Sequence, residues 1–192
     1  VVTPHTRWAK PYVKGTTRLL CIAPMYGQRD TVELAQRLEI DHDVLMMQSW
    51  NAFASDKAGM GRNHLVGREL EKVAARLHSL LAKPHDVIVV GGITWDALPQ
   101  EFKTEIFAQV KAGTGLVVRA LPRGYEKQII NLLEGARAVA GRDLIARGVP
   151  FTSVPVWKEF ASNDQAREHL VVTLTYGKGR VVILQNFAGW GN

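Results

Sequence analysis

Two sets of side chains in this sequence have types and spacing that bear on chemistry. Asp41-His42-Asp43 puts an imidazole between two carboxylates, a donor set that a metal ion takes. Neighbours in an extended stretch point to opposite sides, so the three converge only at a kink. The expectation is therefore a solvated turn leading into a strand, with no metal. The second set follows the ends of apolar runs: Met25, Tyr26, Gln28 and Arg29 after one, Thr94, Trp95 and Asp96 after another, and Arg119 at the end of a third. Aromatic faces with Asp and Arg suit a small polar ligand with an apolar face, a sugar included, or a partner protein. The plainer alternative packs Trp95 over the start of the next helix and makes Asp96 its cap.

Other groups carry less. His78 and His85 flank the end of one helical stretch, where positive charge complements the helix dipole. Glu69 and Glu71, Glu101 and Glu105, and Glu159 and Asp164 are read as solvated surface, since a glycosidase pair must face its partner across a bound sugar. Gly91-Gly92-Ile93-Thr94 lacks both Gly-x-Gly-x-x-Gly and the Lys-Ser/Thr of a P-loop, so no nucleotide cofactor is expected, and none of another kind.

The elements that must position these residues alternate. Asp86 to Asp96 opens with Val87-Ile88-Val89-Val90, read as a strand buried on both faces, and leaves at Gly91-Gly92 for a helix with Pro99 in its first turn. Before it, Thr17 to Ala23 reads as the first strand. Asp30 with Glu33 then forms a capping box for a helix buried through Leu34, Ala35 and Leu38, and Asp43 to Gln48 forms the second strand. Ser49 to Asn63 is a long loop that invites a functional reading. Leu65 to Leu81 gives a helix with Val66, Leu70, Val73, Leu77 and Leu80 on one face. Phe102, Ile106 and Val110 mark the helix after Pro99, and Gly113 suits its left-handed cap. Gly115 to Leu121 is a strand, followed by a helix holding Tyr125, Ile129 and Leu132. Val149 to Trp157 is an edge strand interrupted by Pro150 and Pro155. Leu170 to Thr175 and Arg180 to Gln185 form a hairpin about Tyr176-Gly177-Lys178-Gly179. The sum is an α/β protein with a doubly wound, mostly parallel sheet, helices on both faces and a C-terminal antiparallel hairpin. Residues 1–16 form an extended arm, and 17–192 a single domain.

Composition fits. At 192 residues, with 46% hydrophobic and 22% charged, the chain can bury a full core and is not a disordered sequence. The net charge of +6 is scattered rather than gathered into an arm, so nucleic acid is not expected as a partner. No apolar run is long enough to span a membrane, which sets membrane partners aside and suggests a soluble protein of cytoplasm or periplasm. The chain opens on Val1, as a processed or excised piece would. A single cysteine, Cys21, excludes an internal disulfide.

The run Asp86 to Trp95, then Leu98-Pro99, a helix and Gly113-Thr114-Gly115-Leu116-Val117-Val118, resembles the class I glutamine amidotransferase-like superfamily. Tyr176-Gly177-Lys178-Gly179-Arg180-Val181-Val182 is similar to a hairpin in trehalose-utilisation-like proteins and in the trimerisation domain that follows the barrel of certain β-galactosidases. The resemblance implies a flavodoxin-like fold, with a crevice at the switch point bordered by Tyr26, Gln28, Arg29, Thr94, Trp95, Asp96 and Arg119. It also shows a departure. Catalytic members carry a cysteine on the turn after the strand that corresponds to Gly115 to Leu121, and here that turn reads Arg119-Ala120-Leu121-Pro122-Arg123-Gly124. Without that sulfur no amide is attacked, and Cys21, between Leu20 and Ile22 in a strand, reads as an inert small hydrophobe. The expectation is a non-catalytic amidotransferase-like domain, a pseudoenzyme, that binds or assembles. It would serve as homo-oligomer or neighbouring domain within a larger carbohydrate-active protein. The alternative is a cysteine-independent hydrolase or isomerase of sugar derivatives.

Overall fold

The computed structural model describes residues 15–24, 28–38, 40–47, 67–91, 93, 95, 98–119, 125–138 and 171–184. In order these form β1 (Thr17–Pro24), α1 (Gln28–Arg37), β2 (Ile40–Met47), α2 (Gly67–Leu81), β3 (Val87–Val90), α3 (Gln100–Ala112), β4 (Gly115–Arg119), α4 (Tyr125–Leu132), β5 (Arg137–Ala138), β6 (Val171–Tyr176) and β7 (Gly179–Leu184). The strands make one seven-stranded sheet in the order β2-β1-β3-β4-β7-β6-β5. The first five in that order are parallel, and β6 and β5 continue it antiparallel. The order reverses at β1, whose neighbours are β2 on one side and β3 on the other.

Register explains the core. Leu20, Ile88, Leu116, Val181 and Leu174 are successive Cα partners across the sheet, and Ile22, Val90, Val118, Ile183 and Val172 form the next row. Partners in register share a face, so the two rows make one apolar layer. Leu77 and Leu80 of α2 and Phe102, Ile106 and Val110 of α3 complete the same cluster. Residues between the rows point the other way. Cys21 on that second face is buried, and its sulfur lies 3.3 Å from the Thr31 hydroxyl of α1.

Several expectations are corrected. β3 is not buried on both faces: Ile88 and Val90 are sealed, whereas Val87 and Val89 are half-buried. Helix α1 starts at Gln28, so Asp30 lies within it rather than at its cap. Leu34 is 46% exposed, and Thr31, Ala35 and Leu38 carry the inward stripe, because the residue that meets Cys21 sets the rotation of the helix. β2 begins at Ile40, so Asp41-His42-Asp43 belongs to the strand and not to a turn before it. Pro99 occupies the N-cap of α3 rather than its first turn. In the α4 region Leu132 is exposed and Leu133 is buried. The two-residue strand β5 carries no signal in the sequence. The expected loop Ser49 to Asn63, the strand Val149 to Trp157 and most of the N-terminal arm lie outside the described residues.

The β6–β7 hairpin is built against the end of α3. Gly177 has φ 60°, the positive value that the first central position of a II′ turn needs. Lys178 N–H donates to the Lys111 carbonyl at 3.0 Å, satisfying one of the orphan acceptors at the helix end. A Cβ on Gly177 would stand 2.6 Å from that same carbonyl oxygen, and one on Gly179 would collide with the Val110 carbonyl. Gly179→Ala is therefore expected to cost about 2–3 kcal/mol in urea unfolding, the upper part of the range for overpacking, because the backbone it meets cannot give way. Gly115→Ala, whose Cβ meets its nearest atoms only at 3.6 Å, should cost under about 1 kcal/mol.

Candidate functional site

The carboxyl ends of β1 and β3 lie side by side at the reversal, and Gly91 N–H prolongs their pairing by donating to the Ile22 carbonyl at 3.0 Å. The residues singled out in the sequence fall here unevenly. Gln28 and Arg29 occupy the first turn of α1, the helix that follows β1. Arg119 ends β4, beside Leu184 of β7, and is exposed. Met25, Tyr26, Thr94 and Asp96 lie outside the described residues.

Trp95 is in the core, with 2% of its surface exposed. Its ring stacks on Phe107 of α3 at 5.4 Å between centroids, and Phe107 meets Tyr176 edge-on at 6.1 Å. Lys111 lies over the Tyr176 ring at 5.0 Å, a cation–π contact at the end of the aromatic line. With Ile93 and Leu98, also buried, Trp95 pins the exit of β3 from below. Its Nε1–H is buried without an acceptor among the described residues. Trp95 thus packs against Phe107 in the middle of the following helix, and the Asp96 cap that accompanied the plainer sequence reading lies outside the described residues.

A second, polar grouping, which the sequence does not announce, sits at the opposite, amino edge. The segment that leads from α2 into β3, Lys83-Pro84-His85-Asp86, holds the starts of the neighbouring strands. Lys83 Nζ donates to both oxygens of Asp43 on β2 at 2.9 Å, and His85 Nε2 stands 3.3 Å from Asp43 Oδ2. Arg18 on β1 gives Asp86 its backbone N–H at 2.8 Å, its Nε at 3.2 Å and an Nη at 2.8 Å. Asp86 N–H returns to the Arg18 carbonyl, Gly115 N–H donates to the Asp86 carbonyl, and the Thr114 hydroxyl donates to the His85 carbonyl at 3.2 Å. His85 is therefore not an exposed charge on a helix end. Its side chain is 3% exposed, while His78 stays at the surface, 3.5 Å from Glu105.

The hydrogen bonds from Lys83 and then His85 hold the Asp43 carboxyl below the usual range, against the opposing effect of burial. The side chain and then the backbone N–H of Arg18 do the same for Asp86. Nδ1 of His85 is buried without a hydrogen-bond partner among the described residues. Among the described residues no three His, Cys, Asp or Glu side chains converge to hold a metal ion. No described helix is long and apolar enough to cross a membrane. The signal that could have exposed this grouping is the two-residue spacing of Asp41 and Asp43, which puts both on one side of an extended strand, with Lys83 and His85 just ahead of the next core strand.

Both carboxylates have folded pKa values below their unfolded ones, so their stabilisation is complete above the ordinary Asp range and lost as pH falls through the lowered values. The urea midpoint is expected to drop on acidification below about pH 4. The Asp43→Asn/Asp86→Asn double variant, less stable near neutrality, should lose less over the same interval.

Comparison with known proteins returns no match: no family model, no curated protein and no solved structure matches this chain.

Proposed function

We propose that this chain is a binding or assembly domain on a doubly wound, flavodoxin-like scaffold of the glutamine amidotransferase-like kind, and that it does not cleave amides. The observation that carries the reading is the place of Cys21, the only cysteine of the sequence. It sits in mid-strand, 6% exposed, with its sulfur against Thr31. An attacking thiolate needs an exposed position that substrate can reach, and a sulfur buried between strand and helix against a hydroxyl is not so placed.

The strand order supports the scaffold. Running β2-β1-β3-β4-β7 in parallel, it follows the 2-1-3-4-5 pattern, in which ligands settle outside the carboxyl ends where the order reverses. The helices support double winding, since α1 meets the Cys21 face while α2 and α3 pack on the Leu20 and Ile22 face. The crevice between β1 and β3, with the exposed Arg119 guanidinium at the end of the next strand, suits a small polar ligand, a sugar included, or a neighbouring domain.

Incubating the purified chain with glutamine and a panel of amides and glycosides tests this. No ammonia or sugar release is expected, and Cys21→Ala should behave as the parent. Glutamine hydrolysis that vanishes in Cys21→Ala would overturn the reading. Glycoside turnover lost in Asp96→Ala or Arg119→Ala would replace it with a cysteine-independent hydrolase or isomerase of sugar derivatives.

A further inference from the structure

The antiparallel end of the sheet carries charge that the fold does not neutralise. Elsewhere a cation near a strand start meets a carboxylate on a neighbouring element: Arg18 pairs with Asp86, and Lys83 with Asp43. Arg137 of β5 and Arg180 of β7 are exposed, and neither forms an ion pair among the described residues. The register sets Thr175 of β6 between them, as the partner of Arg137 on one side and of Arg180 on the other. Partners in register share a face, so both arginines rise from the face that carries Cys21, about 10 Å apart at Cα, two strand spacings. Their flexible stems let the two guanidinium groups meet above Thr175.

Nothing acidic stands beside them on that face. One step before the Leu116–Val181 pair the row continues to Gly115, which has no side chain, and then to Val87, Leu19 and His42. The next row holds Thr173, Val182, Val117 and Val89. Glu134, exposed three residues ahead of Arg137, pairs with neither arginine. The Thr175 hydroxyl is turned to the Arg137 carbonyl at 3.4 Å, which leaves the guanidinium groups as the donors. Lys178, exposed at the hairpin tip, and Lys111, over the Tyr176 ring, add positive charge at the same edge. Like charges on one row repel, and an anion between them removes that cost.

The geometry points to a site for a phosphate monoester dianion, held from both sides by Arg137 and Arg180 above Thr175. Each guanidinium offers paired N–H donors that match two phosphate oxygens, and two such groups with two lysines behind them suit a double negative charge. The site is apart from the crevice at the carboxyl ends of β1 and β3 and does not rest on the function proposed for it.

Titrating the full chain with methyl phosphate at about pH 8, where the ester is a dianion, tests the assignment through the arginine Nε–H resonances. Methyl sulfate, of the same shape and half the charge, is the control. Saturable shifts are expected for Arg137 and Arg180, with methyl phosphate at least about tenfold tighter than methyl sulfate, a comparison that needs no variant. Arg137→Gln and Arg180→Gln should each weaken binding about tenfold, while Arg76→Gln, the same change of charge on α2, should leave it as in the parent. Absence of saturation, equal affinity for methyl sulfate, an equal loss in Arg76→Gln, or a folded Arg180→Gln chain that binds as the parent would overturn it. So would a single-stranded oligonucleotide that binds where methyl phosphate does not, which would make the patch a polyanion surface.

Discussion

Asp43 stands on the core-facing side of the outermost parallel strand, as the register partner of Leu20 and so at the head of the row that continues through Ile88, Leu116, Val181 and Leu174. A carboxylate left unpaired at the end of an apolar row would be destabilising, and the fold meets that demand with Lys83 and His85. These two residues precede β3, and β1 lies between β3 and the strand that carries Asp43. The contact therefore spans three strands, and the segment that makes it is tied to the fourth through Gly115 and Thr114. A short connection of this kind fixes the relative height of the strand starts, and hence the register from which both apolar rows follow.

The far side of the sheet is fixed by shape rather than charge. Gly177 and Gly179 let the β6–β7 hairpin press its backbone on the last turn of α3, and the Lys178 N–H fills the Lys111 carbonyl. The Gln109 side chain performs a similar service for α2, donating to the Leu81 carbonyl at 2.8 Å. Helix ends that sequence alone leaves with orphan acceptors are thus closed by neighbours, which makes each of these helix termini a tertiary contact.

What the sequence made legible was whatever repeats. Val87 to Val90, Phe102-Ile106-Val110 and the twin glycines of the hairpin announce strand, helix and turn through local spacing, and the structure places them so. What it hid depends on a partner distant in the chain. Nothing near Leu34 says that Thr31 will face Cys21, and nothing near His85 says that a carboxylate 42 residues earlier waits for it. Charged residues beside a strand read as solvent-facing by default, and Asp43 escapes that default only because β2 starts at Ile40 and lies at the edge. Trp95 shows the same limit from the other side, since a large aromatic after a glycine turn is compatible with both crevice and core.

The core position of Trp95 ties the exit of β3 to α3 and to the hairpin. A ring stacked on Phe107 with 2% of its surface exposed has little area left to offer a ligand. Through Phe107 the line of rings reaches Tyr176 of the hairpin, where Lys111 closes it. Arg119, by contrast, is exposed at the end of β4.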